Sequence, residues 1–242
     1  MTPTNGTSAL KSYWTTSRSH RYSLLFAMPL LLLYELLEIV SPIRSQGGVI
    51  RNGADVVLTG LFSLLLGPRG PLAFMGIVIA VSLVLIWRDK TSGPLRASTF
   101  AAMLGESIVL ALVFGVVVGT ATMKLLSLSA AGPVDTQLAR LTLSLGAGLY
   151  EELLFRVVIV ALLANAFRLV GFSKLFGGAL ATLLGALLFS AFHYVGSLGE
   201  PFRVQSFVFR AVAGVGFSAL YLTRGFGITA WTHALYDMFV LL

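Results

Sequence analysis

Apolar residues fall in long runs along the chain, and polar residues cluster in the short stretches between them. Runs of about 18 or more predict transmembrane helices, because a helix satisfies its own backbone in lipid. The first predicted span covers about 23–40, with Glu35 and Glu38 near its end and Pro42 beyond, and these glutamates read as markers of the membrane interface. A second run, 52–67, ends in Gly67-Pro68-Arg69-Gly70-Pro71; it is too short to cross comfortably and reads as interfacial or re-entrant. Spans follow over 71–87 and 101–126, joined through the polar Arg88-Asp89-Lys90-Thr91-Ser92-Gly93. Glu106, a turn or two inside the second of these, reads as a helix-end residue.

A polar stretch at 127–137, containing Gly132-Pro133, separates this half from four further apolar segments at 141–170, 176–194, 206–222 and 226–242. The predicted fold class is all-α, a polytopic transmembrane helical bundle of seven or eight spans. It divides into a polar N-terminal tail (1–22), N-terminal transmembrane helices (23–135) and a four-helix core (136–242). Small residues recur in the core, as in Gly177-Gly178-Ala179, Ala181, Gly185-Ala186 and Gly214-Val215-Gly216. With no strand before any of them, they signal close helix packing rather than a phosphate loop. No sequence repeat, low-complexity tract or soluble domain is evident.

Composition agrees with the pattern. The chain is 57% hydrophobic and 11% charged, with a mean hydropathy of +0.89, which excludes an ordinary soluble domain. It contains no cysteine, so disulfides, thiolate zinc sites and cysteine nucleophiles are excluded. The net charge of +7 arises from basic residues scattered singly between apolar runs, as membrane anchors are, and does not indicate nucleic acid. The polar start, with Lys11, Arg18 and Arg21, is long for a signal peptide and has no small-x-small cleavage site before Glu35; the first span reads as a retained helix. Lysine and arginine counts lean toward a cytoplasmic N-terminus, provided the run 52–67 does not cross.

Candidate chemistry lies where ionisable groups interrupt the core. Glu151, Glu152 and Arg156 stand inside the run 141–170, where an unpaired carboxylate costs several kcal/mol in lipid. Glu152 and Arg156 are four apart in the favourable Glu-first order and can pair, whereas Glu151 points about 100° away and has no sequence-local partner. His193 closes Phe189-Ser190-Ala191-Phe192-His193 near the end of the next helix, at a depth it can share with Glu151 if the two helices are antiparallel. His233 and Asp237, again four apart, share a face of the last helix. Arg203 reads as interfacial, while Arg210 is deeper and reads as a snorkelling or carboxylate-paired residue. A shared polar site built from the two histidines and three carboxylates has three readings: water activation and oxyanion stabilisation for amide hydrolysis, a divalent metal site with Glu151, His193 and His233 as ligands, or a proton relay in a transporter.

In that order on successive apolar helices, Glu151-Glu152-x-x-x-Arg156, Phe189-x-x-x-His193 and His233-x-x-x-Asp237 resemble the three motifs of the CPBP intramembrane proteases. This group includes the CAAX prenyl proteases and the bacteriocin-processing (Abi) proteins. The resemblance covers about 136–242 and implies a membrane-embedded endopeptidase, acting on a membrane-associated protein or peptide in the lipid bilayer and sited in a bacterial cell membrane. It implies that Glu151 and His193 activate water, that Glu152 and Arg156, with Phe189, support the site, and that His233 and Asp237 lie near the oxyanion. Either no cofactor or one divalent metal such as zinc is compatible with it. Asn is the commoner occupant where this chain has Asp237, and an ionised Asp cannot donate to an oxyanion. The rival from another class is a non-catalytic membrane protein, such as a proton-coupled transporter or an immunity scaffold; it would show Gly/Pro-interrupted inverted repeats, which the sequence lacks.

Overall fold

A computed structural model describes residues 5–40, 44–45, 48–49, 51–89, 93–123, 137–196 and 199–242. The expected domain boundary at 127–137 lies outside the described residues except for Gln137, as do Pro42 and residues 90–92 of the predicted polar connection.

The chain is a helical bundle of α1 (Asn5–Ser17), α2 (His20–Val40), α3 (Gly53–Leu66), α4 (Gly70–Arg88), α5 (Ala97–Met123), α6 (Gln137–Gly146), α7 (Val160–Leu169), α8 (Lys174–Phe192), α9 (Val204–Arg224) and α10 (Phe226–Leu241). β1 (Arg44–Ser45) and β2 (Gly48–Val49) form a two-residue antiparallel ladder between α2 and α3. Among the described residues, five helical runs are long and apolar enough to cross a membrane: His20–Val40, Gly53–Arg88, Ala97–Val117, Lys174–Phe192 and Val204–Arg224. Leucines and valines stay exposed along them, as at Leu64, Leu65, Val116 and Leu183, because lipid replaces water as the surrounding medium.

The short run 52–67 proves to be one arm of a hairpin. α3 has 14 residues, about 21 Å of helix against about 30 Å of hydrocarbon, and reverses onto α4 through a 3-10 turn at Gly67–Arg69. Phe62 and Phe74 meet at 5.5 Å between ring centroids across the reversal, which a straight helix would hold about 18 Å apart. The N-terminus differs from a bare polar tail, since residues 5–17 are helical and α2 begins at His20.

Two acidic residues depart from the sequence reading. Glu106 is not a helix-end residue but sits in the third turn of α5, where Arg224 at the end of α9 pairs with its carboxylate and the Tyr13 hydroxyl donates to it at 2.6 Å. Arg224 is buried, also donates to Ser17, and its guanidinium lies 3.9 Å over the Trp14 ring. Glu106 thus answers a buried cation that joins α1, α5 and α9. Glu38, expected at the interface, is buried in α2 with neither oxygen hydrogen-bonded.

The helices that frame the core come together at glycines. A Cβ at Gly148 would stand 2.4 Å from the Ala230 carbonyl oxygen of α10, and one at Gly146 2.6 Å from the Tyr34 ring of α2 and 2.8 Å from Asn52 Cβ. Gly-x-Gly therefore lets one helix touch α10 on one side and α2–α3 on the other. The expected close approach also holds at Gly185, against Val160, and at Gly214, against Ala186, but not at Gly178, where a Cβ would meet nothing within 4 Å. Gly148→Ala should accordingly lower stability by about 1–3 kcal/mol through overpacking, whereas Gly178→Ala should be neutral or stabilising by up to about 1 kcal/mol. Thermal unfolding of the two variants in detergent checks this; equal melting temperatures would refute it.

Candidate active site

The motif-bearing helix is not α-helical throughout. Between α6 and α7 it runs through two π-helical stretches, Ala147–Glu151 and Leu153–Ile159. Widened turns of this kind shift side chains from their α-helical directions and concentrate at functional sites, and here they carry Glu151 and Arg156 and flank Glu152.

Glu152 is the hub. It is fully buried, and its Oε1 lies 3.1 Å from Arg156 Nη1 and 2.7 Å from His233 Nδ1. The i,i+4 pair expected from sequence is present, and the same oxygen also holds the histidine of α10. Arg156 is itself buried; it donates to the Gly214 carbonyl at 3.3 Å, and its guanidinium lies 4.6 Å over the Phe189 ring and 5.6 Å from that of Phe217. Such a cation keeps its charge away from water by ion pairing, hydrogen bonding and aromatic faces together. Phe217 also stacks on His233, with centroids 4.3 Å apart and planes 20° apart. The Phe189 ring lies between the two histidines, 5.0 Å from that of His193 and 6.1 Å from that of His233.

His193 caps the end of α8, half-buried, with Nδ1 2.9 Å from the Phe189 carbonyl oxygen. A carbonyl only accepts, so Nδ1 carries the proton in that bond and the neutral ring presents an unprotonated Nε2. His193 and Glu151 lie close enough to interact electrostatically, and His233 and Arg156 also act on Glu151. Three helices therefore bring Glu151, His193 and His233 near one another. His233 Nε2 faces Asp237 Oδ2 at 3.7 Å, beyond hydrogen-bond length. Arg210 reaches the carboxylate of Glu200 at 2.7 Å, with Ser206 and Tyr194 hydroxyls also accepting from it. It thus matches the carboxylate-paired reading.

Sequence reasoning missed the floor of the site, which comes from the other half of the chain. Asn52 Nδ2 donates to Glu151 Oε1 at 3.0 Å. Asn52 is the N-cap of α3: its Oδ1 accepts from Ala54 N at 2.9 Å, and its backbone N–H donates to the Tyr34 hydroxyl at 3.1 Å. That hydroxyl donates to Asp55 at 2.9 Å, and Arg51 pairs with both Asp55 and Glu35. Glu35 in turn accepts from the hydroxyl of Tyr150, the neighbour of Glu151, at 2.6 Å. Glu35 is therefore no interface marker, because the cation and phenol around it supply the partners that water would. The available signal was an Asn cap followed by Asp three residues on, Asn52-Gly53-Ala54-Asp55, which marks a helix start inside an apolar run.

Glu151, His193 and His233 are the candidate metal ligands that the sequence offers. Among the described residues, no three His, Asp or Glu side chains converge as ligands of one ion. His233 Nδ1 is held by Glu152, His193 Nδ1 by the Phe189 carbonyl and one Glu151 oxygen by Asn52, which leaves both Nε2 atoms and the second Glu151 oxygen facing the site.

Residues 133–239 match the family profile of type II CAAX prenyl endopeptidases, Rce1-like. That stretch, a little under half of the chain, is similar to the Rce1-like CAAX proteases. The match contains all three motifs, and Asn52, Tyr34 and Glu35 lie outside it. No curated protein and no solved structure matches the chain. The family is one of membrane proteases, so the chain is an integral membrane protein of a hydrolase family with a peptide or protein as substrate.

The hub predicts unequal roles for the adjacent glutamates in stability. Glu152→Gln strips the charge partner from buried Arg156 and His233 and should destabilise by about 3–5 kcal/mol. Glu151→Gln keeps an acceptor oxygen for Asn52 and should cost under about 1 kcal/mol. Melting of both variants in one detergent measures the difference, and similar losses would contradict the arrangement.

Proposed function

We propose that the chain is an intramembrane endopeptidase that cuts a membrane-associated protein or peptide in a bacterial cell membrane with water activated by Glu151 and His193. Processing near a C-terminus, as the family description implies, is the favoured reaction; trimming of a sorting signal or a bacteriocin leader is the same chemistry on another peptide. The observation that carries the proposal is the division of the two glutamates. Glu152 is committed to Arg156 and His233, whereas Glu151 has one polar partner and sits beside His193.

In this mechanism a water molecule is oriented by the Glu151 carboxylate and His193 Nε2. Its oxygen attacks the scissile carbonyl carbon while Glu151 takes a proton, and the carbonyl electrons move to the oxygen. His233, held through Nδ1 by Glu152, turns Nε2 toward the space beside Asp237; when protonated, that nitrogen donates to the oxyanion. Collapse of the tetrahedral species breaks the C–N bond, and the proton held by Glu151 passes to the departing amine. Asp237 orients His233 and does not donate. In this mechanism the carboxylate and the two imidazoles supply the activation, and no step requires a metal ion.

Two variants test the reading. Membranes of cells carrying Glu151→Gln should accumulate an uncut peptide or protein that the wild type processes, with the variant still inserted at wild-type level. Purified Asp237→Asn should keep cleavage of that substrate within about tenfold, and a membrane-permeant chelator should leave the wild type active. An unchanged membrane proteome would overturn the protease reading, and activity lost to chelator and restored by zinc would overturn its metal-free form.

A further inference from the structure

Glu151 approaches its task from a π-helical turn, with one carboxylate oxygen fixed by a residue 99 positions away. We propose that Asn52 is the positioning residue of the general base, so that the active site is completed by α3 and not by the Rce1-like domain alone. This rests on the reading of Glu151 as the base.

The orientation of the Asn52 amide follows from its partners. Ala54 N–H is a donor, so the oxygen of the side chain must face it. The NH2 group is thereby turned to Glu151, which only accepts when ionised. A flipped amide would set donor against donor at Ala54 and acceptor against carboxylate at Glu151. The backbone of Asn52 is held as firmly, through its N–H to the buried Tyr34 hydroxyl. Gly146 and Gly53 make the approach possible: side chains there would strike Asn52 and Tyr34 in one case and the Phe192 ring, next to His193, in the other.

The consequences for catalysis are two. With one oxygen bonded to Asn52, rotation of the carboxylate is restricted, leaving the other oxygen for water. Donation from Asn52, and the positive end of α3 behind it, also favour the ionised base in a site where desolvation opposes it. The other groups acting on Glu151 are Arg156 on its own helix, His193 at the end of α8, and His233 and Asp237 on α10. None of these is bound to the Oε1 that Asn52 holds.

Cap and donor can be separated by substitution. Asn52→Asp and Asn52→Ser both keep an oxygen to cap α3 but remove the amide donor. The full-length variants are purified in detergent and assayed with a synthetic fluorophore–quencher peptide copied from the substrate that accumulates uncut with Glu151→Gln. The expected result is a melting temperature near wild type for Asn52→Ser and a lower one for Asn52→Asp, whose carboxylate faces that of Glu151, with kcat reduced about 10- to 100-fold and KM within about twofold in both, and an acid limb of the rate profile moved to higher pH. Wild-type kcat in both variants would overturn the proposal. So would unfolding of Asn52→Ser, which would assign Asn52 to the fold. If Glu151→Gln itself cleaves the peptide, the base assignment fails instead.

Discussion

The burial of one arginine charge beside the reactive residues constrains the rest of this structure. Arg156 has almost no exposed surface, and what makes it tolerable is Glu152, whose single oxygen is shared with His233. An ion pair in low dielectric is stable only when both members are held close, the more so here because Glu152 Oε2 and Arg156 Nε have no hydrogen-bond partner among the described residues, so this pair fixes distances that other elements must respect. α9 has to bring the Gly214 carbonyl and the Phe217 ring to the guanidinium, which it does where Gly214 lets it lie against Ala186 of α8. α10 has to bring His233, and Gly148 lets it do so. The supporting charge therefore sets the registry of three helices, and the adjacent Glu151 is left outside the pair with a different set of neighbours.

Much of this was legible in the sequence. Long apolar runs mark helices in lipid because no other local structure satisfies the backbone there, and the Glu152–Arg156 and His233–Asp237 spacings place each pair on one face. What periodicity does not encode is a partner from a distant helix. Asn52 meets Glu151 across 99 positions, and Arg224 meets Glu106 across 118. Glu35 and Glu38 read as interfacial, and Glu106 as a helix-end residue, because a carboxylate in an apolar run is expensive without a partner; the partners of Glu35 and Glu106 are Arg51, Tyr150, Arg224 and Tyr13. The π-helical turns were invisible for a similar reason: they are imposed by tertiary packing and not by a residue type with a preference for them.

The front half is accordingly more than an anchor for the family domain. Through Tyr34 it holds the backbone of Asn52, the partner of Glu151, and through Glu35 it holds the hydroxyl of Tyr150, the neighbour of Glu151 in sequence. Arg51 ties these supports together by bridging Glu35 and Asp55. A hydrogen-bonded network in an apolar surround acts as a unit, so its members share whatever geometric tolerance the base requires.

The contact at Gly146 carries this into heredity. A helix inside the matched region has no side chain there because a ring and an asparagine from outside it occupy the space. Neither half can drift alone at this joint: a larger residue at 146 needs a smaller one at 34 or 52, and a change at 52 alters the company of Glu151. Descendants of this chain should thus exchange these three positions in concert, and a core transplanted onto unrelated N-terminal helices would inherit the motifs without the surface they close against.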